Sequence, residues 1–168
     1  KKLSRTIKTE GEPTYVDITE ENFLNYFKVN SSGKASAIKN SFTEETILNV
    51  YSIPSNVTTI EFPSLNKVQY PVSIVGKNDL TLRNIRFNLL NENMLLTNLT
   101  LIYDEDYADN YNNPRIMLGH TSPDGISNSV VLDNVTINAT FSYENSGKTL
   151  ITTKHISNDS RSNIVIKK

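Results

Sequence analysis

The chain has no cysteine among its 168 residues, and this absence excludes several chemistries together. Disulfide bonds, thiolate metal ligands and cysteine nucleophiles cannot occur. Stability must therefore come from packing and from backbone hydrogen bonds. The length is that of one domain, which is large enough to bury a substantial core.

An excess of charge and a long apolar run are missing as well. Seventeen Lys and Arg residues face 18 Asp and Glu residues, so the net charge is −1. Without a global field, nucleic acid is not an expected partner. No apolar run approaches the roughly 20 residues that a membrane-spanning helix needs, so we expect no membrane contact by this segment.

The composition is instead rich in small polar residues. Asparagine occurs 22 times, and serine and threonine together occur 34 times. These residues favour turns and are poor helix formers. The composition therefore predicts a chain made mainly of β-strands.

Three stretches share one pattern, in which two short apolar-rich strands meet at an asparagine: 80–87 at Asn84, 95–101 at Asn98 and 130–137 at Asn134. Alternation with period two places the apolar side chains on one face. Asparagine is the non-glycine residue best suited to a left-handed corner. The pattern predicts a coiled, stacked β-structure. A fourth copy starts at Asn163 and stops before its corner asparagine, so we expect further domains of the same chain.

Strand-like segments with turn punctuation fill most of the remaining chain. Their predicted bounds are 46–52, 57–62, 68–75, 80–82, 85–87, 94–96, 99–103, 115–118, 130–132, 135–137, 149–154 and 163–167. Removal of the polar loop 104–114 reduces the Asn98 to Asn134 step to 25 residues, which suits a three-sided coil. The step from Asn84 to Asn98 is only 14 residues, so either one layer is tight or these asparagines mark different corners.

The N-terminal part has a different character. Residues 1–16 are polar and aperiodic, and we interpret them as a leader or linker that precedes the domain at 17–168. In the next segment, Thr19 is a plausible N-cap, and Phe23, Leu24 and Phe27 would share one apolar face of a helix. We predict a short capping helix here, laid over the first layer of the stack.

The segments 77–87 and 129–137 resemble layers of right-handed parallel β-helix proteins of the pectin-lyase-like superfamily. The opening segment 16–27, together with 74–78, resembles the adhesin-like surface proteins of methanogenic archaea, which are secreted or attached to the cell wall. The resemblance implies an all-β fold, a right-handed parallel β-helix (solenoid) with a short N-terminal capping helix. It also implies a ladder of stacked amides at one bend, formed by Asn84, Asn98 and Asn134.

The polar loop 104–114 holds the densest acidic cluster, which includes Asp104, Asp106 and Asp109. Oxygen-rich loops suit calcium, so these three aspartates are candidate calcium ligands, and calcium is the one cofactor to consider. The alternative is a solvated acidic loop that Arg115 neutralises.

The same loop carries Tyr103, Tyr107 and Tyr111 at a spacing of four. Tyr107 and Tyr111, beside Asn110, are candidate carbohydrate-binding residues, because aromatic rings next to amides suit sugars. The simpler interpretation is that the tyrosines attach the loop to the scaffold.

Six Asn-x-Ser/Thr sequons are possible N-glycosylation sites, at Asn30, Asn56, Asn98, Asn134, Asn138 and Asn158. Six is close to the number that this composition gives by chance. The sequons are therefore candidates and do not establish glycosylation.

An enzyme of the same superfamily is the competing hypothesis. The segments around Asp124 and His120 loosely resemble polygalacturonase motifs, but their order is wrong. The paired carboxylates that glycoside hydrolysis needs are also missing, since 131–134 contains one aspartate. His155 is isolated like His120, and both suit surface or turn positions.

We therefore expect a non-enzymatic, extracellular module of a cell-surface protein, adhesin-like or stalk-like, that displays loops to glycans or cell-surface proteins. A polysaccharide lyase or glycoside hydrolase is the first alternative. A structural spike or surface-layer element is the second.

Overall fold

The computed structural model describes residues 11–63, 70–90, 94–104, 115–118, 128–139, 150–153 and 162–167. These residues contain thirteen strands and two three-residue 3-10 turns, Phe23–Asn25 and Lys39–Ser41. The predicted all-β class is confirmed. The strands are β1 (Thr14–Ile18), β2 (Phe27–Val29), β3 (Lys34–Ala37), β4 (Thr46–Val50), β5 (Thr59–Phe62), β6 (Val72–Gly76), β7 (Thr81–Arg83), β8 (Arg86–Leu89), β9 (Met94–Tyr103), β10 (Ile116–Leu118), β11 (Asn128–Ala139), β12 (Ile151–Thr153) and β13 (Ser162–Lys167).

The strands form two sheets, and the chain passes repeatedly from one to the other. The first sheet has the order β1-β4-β6-β9-β11-β13, with β7 also paired to β9. The second has the order β12-β10-β8-β5-β3-β2. All pairs are parallel except β2 with β3, which are antiparallel. Parallel neighbours need long crossovers, and here each crossover runs through the other sheet.

The register of the first sheet gives the length of each pass, by which we mean the stretch of chain from one strand of this sheet, through the second sheet, to the next strand of the first. The positions aligned across β4, β6, β9, β11 and β13 are 47, 73, 95, 131 and 165. Successive passes are therefore separated by 26, 22, 36 and 34 residues. The two longer passes include the segments 105–114, 119–127 and 140–149, which lie outside the described residues, and the strand register is kept across them.

Strict alternation along the strands builds the core. Both β4 and β6 alternate buried and half-buried residues from end to end. In β9 the alternation restarts after Asn98, so Leu96 and Leu99 are both buried, at 0% and 2% exposure. The corner therefore reverses the phase of the pattern and keeps apolar side chains inward on both arms.

Aromatic rings fill the core at the N-terminal end. Phe27 stacks on Phe23 with ring centroids 4.5 Å apart. It also meets Phe62 edge-to-face at 5.5 Å and Phe42 at 6.4 Å. Offset and edge-to-face pairs contribute roughly 0.5–1.5 kcal/mol each beyond the area that they bury. The cluster joins β2, β5 and the two 3-10 turns.

The predicted N-terminal capping helix is wrong. The segment makes only the 3-10 turn Phe23–Asn25 and then continues as β2, which pairs antiparallel with β3. Asn22 explains why no helix starts: its side-chain oxygen accepts from the Thr19 N–H at 2.8 Å, and its amide donates to the Asp17 carbonyl at 2.6 Å. Such local side-chain bonds compete with helix formation.

Three other expectations for the N-terminal part also change. The Thr19 hydroxyl does not cap a helix but bonds the Glu21 carboxylate, which lowers the pKa of Glu21. Phe23 and Phe27 are buried as predicted, whereas Leu24 is 63% exposed. Strand β1 begins at Thr14 and pairs with β4, so the end of the segment 1–16 that we expected to be a leader belongs to the first sheet. No helix within the described residues is long and apolar enough to span a bilayer.

The aromatic cluster generates the first prediction. Phe27→Ala should lower the free energy of unfolding by about 3–5 kcal/mol, because it leaves a cavity among three other rings. Leu24→Ala, at the exposed neighbour, should change it by less than about 0.5 kcal/mol. Urea denaturation followed by circular dichroism measures both. Equal costs for the two variants would contradict the observed burial.

Candidate functional site

A polar groove of about 320 Å³ lies on the outer surface of the first sheet, where the strands turn a corner. Amides, hydroxyls and one pair of opposite charges dominate its surface. The lining residues are Gly76, Lys77, Asn78, Asp79, Leu80, Asn98, Leu99, Thr100, Asn134 and Thr136.

The groove exists because one pass of the chain turns this corner with more residues than the next pass. Val75 pairs with Thr97, and Thr81 pairs with Thr100. The corner therefore contains five residues, 76–80, in one pass and only two, Asn98 and Leu99, in the neighbouring pass. The additional residues form a wall beside the narrower corner.

Both ends of the wider corner remain bonded to the neighbouring passes. The Lys77 N–H donates to the Val50 carbonyl at 3.0 Å, and the Thr100 N–H donates to the Leu80 carbonyl at 3.1 Å. The insertion is thus a fixed protrusion from a continuous ladder.

Left-handed backbone makes these corners possible. Asn78 and Asp79 both have φ of 54°, while Asn98 and Asn134 have φ of 57° and 54°. Asn and Asp tolerate this region better than other side chains that have a Cβ. Two of these left-handed residues, Asn78 and Asp79, therefore shape the wall of the groove, and the other two shape its floor.

Gly76 is required where the two passes come closest. A Cβ at this position would collide with the Asn98 carbonyl oxygen and would lie 2.8 Å from Leu99 Cδ2. Any side chain here would push the corners apart. The glycine thus sets the depth of the groove floor.

Asn98 and Asn134 stack in neighbouring passes along the floor. The Asn134 side-chain amide donates to the Asn98 side-chain oxygen at 2.9 Å, and the Thr97 hydroxyl donates to the same oxygen at 3.4 Å. Both asparagines are exposed. The threonines that complete these two sequons form a second aligned pair, because Thr100 is in register with Thr136.

Asn84 lies at a different corner, which explains the 14-residue step. Its side-chain oxygen accepts from the Asp104 N–H at 3.0 Å, and its amide donates to the Asp104 carboxylate at 2.8 Å. Asn84 also has left-handed backbone, with φ of 56°, and is 7% exposed. At this corner an aspartate, rather than an asparagine, stacks on the amide of the previous pass.

Arg83 completes this second corner by pairing with the Asp104 carboxylate. The hydrogen bond from Asn84 is the main reason that the pKa of Asp104 lies below its ordinary value, and the nearby Arg83 charge adds to the effect. One of the three predicted calcium ligands is therefore bound by protein groups. Asp106 and Asp109 lie outside the described residues.

Two residues that flank the segment 105–114 pack in the core, one on each side of it. Tyr103 is buried, and its hydroxyl donates to the Ile85 carbonyl at 2.7 Å. The guanidinium of the buried Arg115 lies over the Tyr103 ring, 5.1 Å from its centroid. Arg115 thus packs in the core, while Arg83 is the cation that meets Asp104. The candidate sugar-binding residues Tyr107, Asn110 and Tyr111 lie outside the described residues.

Five of the six sequon asparagines belong to the described part of the chain, and all five are exposed: Asn30, Asn56, Asn98, Asn134 and Asn138. Asn158 lies outside it. The Asn30 side-chain oxygen accepts from the Ser32 and Lys34 N–H groups within its own turn. Asn98 and Asn134 contribute to the groove, so a glycan attached there would occupy it.

The residues singled out for an enzyme, His120, Asp124 and His155, lie outside the described residues. Within the described residues, no group of three His, Asp or Glu side chains is placed to hold a metal ion. The groove lining contains a single carboxylate, Asp79. The groove is therefore built for hydrogen bonding and does not supply the two carboxylates of glycoside hydrolysis.

Reasoning from sequence alone missed three contributors to these corners. Gly76 and the left-handed pair Asn78-Asp79 could have been found, because a glycine followed by Asn-Asp between strands is a turn signal. Arg83 could not, since its partner Asp104 is distant in sequence.

Comparison of the chain with protein-family models, curated proteins and solved structures found no match.

Gly76→Ala tests the close approach of the two corners. The added methyl should cost about 1–3 kcal/mol of unfolding free energy, because the Asn98 backbone must move away. Ser73→Ala, on the same strand, should cost less than about 1 kcal/mol. Denaturant titration compares the two variants, and a Gly76→Ala cost no larger than that of Ser73→Ala would argue against this geometry.

The Asn84–Asp104–Arg83 corner predicts a pH effect. The lowered pKa means that the folded state prefers the carboxylate. The stabilisation is therefore present above pH 3.8, the ordinary value for this group, and is lost as the pH falls through the lower folded pKa. Asp104→Asn should be less stable than the wild type at pH 6, and the difference should shrink below pH 3.8. Thermal melts at several pH values measure it, and a difference that does not depend on pH would refute the assignment.

Proposed function

We propose that the chain forms a right-handed parallel β-helix. Three features support this interpretation: parallel pairing between successive passes, regular alternation between two sheets, and left-handed corner residues in neighbouring passes. The right hand follows from the general preference of crossovers between parallel strands. Each pass would then be one coil, with loops of variable length projecting from it.

We infer that this β-helix is an extracellular, non-enzymatic module of a cell-surface protein, adhesin-like or stalk-like. The observation that carries the proposal is the exposed polar groove on the ladder, which offers hydrogen-bonding groups but only one carboxylate in its lining. Stacked coils bonded at every strand make a stiff support for such a surface. The exposed sequon asparagines suit an extracellular surface.

Glycans are the proposed ligands of this module. Sugars present many hydroxyls, each of which can donate and accept hydrogen bonds. Side-chain amides, hydroxyls and carboxylates complement them, and the groove provides all three. Its volume also falls within the range of ligand sites, about 300–1,000 Å³. The acidic loop that starts at Asp104 is a second surface that such a module would display.

Engineered disulfides test the β-helix. Because the chain has no cysteine, no native thiol competes with the introduced pair. Aligned residues in neighbouring strands lie ~4.8 Å apart, within the Cα range of disulfides. Three double-cysteine variants, one for each side of a coil, should oxidise readily: 73 with 95, 81 with 100, and 88 with 117. The mismatched pair 81 with 117 should stay reduced. Thiol titration and mass spectrometry report the outcome, and oxidation of the mismatched pair alone would contradict the coil.

A glycan-array screen tests the function. The full chain, labelled and applied with calcium or with chelator, should bind a restricted set of glycans and release no sugar from them. Loss of binding with chelator would assign the ligand contact to the acidic loop. Reducing-end assays on polysaccharides provide the enzymatic control. Absence of binding to every glycan would reject carbohydrate display, and sustained sugar release would support the enzyme alternative.

A further inference from the structure

We propose that the groove at the Asn98–Asn134 corner binds a linear, uncharged polysaccharide, whose chain runs across the strands along the stack. This inference rests on the proposed glycan-binding function. It adds where the glycan binds, which class of glycan it is and in which direction the glycan chain runs. It depends on the repetition of polar groups along the groove floor.

The floor repeats the same two groups from one pass to the next. Asn98 and Thr100 on β9 are followed, one strand further, by Asn134 and Thr136 on β11. Neighbouring strands are spaced by ~4.8 Å, so an amide and a hydroxyl recur at this interval. This interval is close to the length of one sugar ring. A linear polysaccharide is a ligand that also repeats its hydroxyls along one axis.

The amides retain hydrogen-bonding capacity toward a ligand. A side-chain amide carries two N–H donors, and the ladder bond from Asn134 to Asn98 uses one N–H of Asn134. The exposure of both asparagines leaves the remaining donors accessible from the groove. Sugar hydroxyls accept such bonds through their oxygen and can donate to Thr100 or Thr136 in return.

The wall adds a strong acceptor in a fixed position. The Asp79 carboxylate accepts hydrogen bonds, and those that involve an ionised group are stronger than neutral ones. Two consecutive left-handed residues and the bonds at both ends of the wider corner hold this wall. A preformed site of this kind loses little conformational entropy when a ligand binds.

The charge of the groove favours an uncharged ligand. Lys77 and Asp79 stand on the same wall, so their charges offset one another and no net field selects an anion or a cation. The single carboxylate supplies at most two of the six to eight oxygens that calcium takes. None of the lining residues is aromatic, so specificity rests on hydrogen bonds.

The experiment uses the 168-residue chain made in a host without N-glycosylation, so that Asn98 and Asn134 carry no sugar. Soluble oligosaccharides from the array hits, uncharged and uronic-acid-containing, are titrated by calorimetry. Thr100→Val and Thr136→Val remove one hydroxyl each while keeping a strand-forming shape. Asp79→Asn removes the charge and keeps a residue that accepts left-handed backbone. Thr59→Val on the second sheet, outside the groove lining, is the matched control.

We expect uncharged oligosaccharides to bind, and longer ones to bind more tightly than single sugars. Each valine variant should weaken binding about 2- to 12-fold, which corresponds to the usual net contribution of one hydrogen bond. Asp79→Asn should weaken it at least as much, and Thr59→Val should leave it unchanged. Circular dichroism and the melting temperature verify that every variant is folded.

The possible failures are distinguishable. Glycan binding that all groove variants retain would overturn the groove as the site and leave the proposed function standing. Tighter binding of uronic-acid oligosaccharides would overturn the ligand class. Absence of binding to any glycan would overturn both the groove proposal and the proposed function.

Discussion

In-register parallel pairing between successive passes of the chain is the constraint on which the structure depends. Side chains in a strand alternate between faces, so a slip by one residue would turn every apolar side chain outward. The registers that join β4, β6, β9 and β11 avoid this at each step, although the passes differ in length. Extra residues are therefore accommodated only at corners and in loops, and this is where the polar surface develops.

The groove is a direct consequence of that constraint. The corner at 76–80 contains more residues than its neighbour, yet β6 and β7 both remain paired with β9. Gly76 lets the two corners approach, and the left-handed Asn78 and Asp79 direct the extra chain outward. A polar groove can thus form on the outside of the ladder while the strand pairing on both sides of the wider corner is kept.

Much of the fold could be predicted from local sequence. Period-two alternation located the strands from β4 to β13 but not β1, β2 and β3, and asparagines between apolar arms marked positions with left-handed backbone. The N-terminal helix failed because Phe23 and Phe27 fit a helical spacing equally well. What decided against it was the set of bonds that Asn22 makes to its own turn, and the pairing of β2 with β3. Periodicity alone cannot separate these outcomes, because a short apolar spacing serves both.

By itself, the sequence determined the strand content from β4 onward, the inward face of those strands and the residues able to turn corners, because these properties depend on neighbours along the chain. Only the tertiary structure decided which corners stack. It placed Asn134 on Asn98 but Asp104 on Asn84, and it set Thr100 beside Thr136. The physical reason is that stacking depends on the number of residues in each whole pass, which no local pattern along the chain fixes.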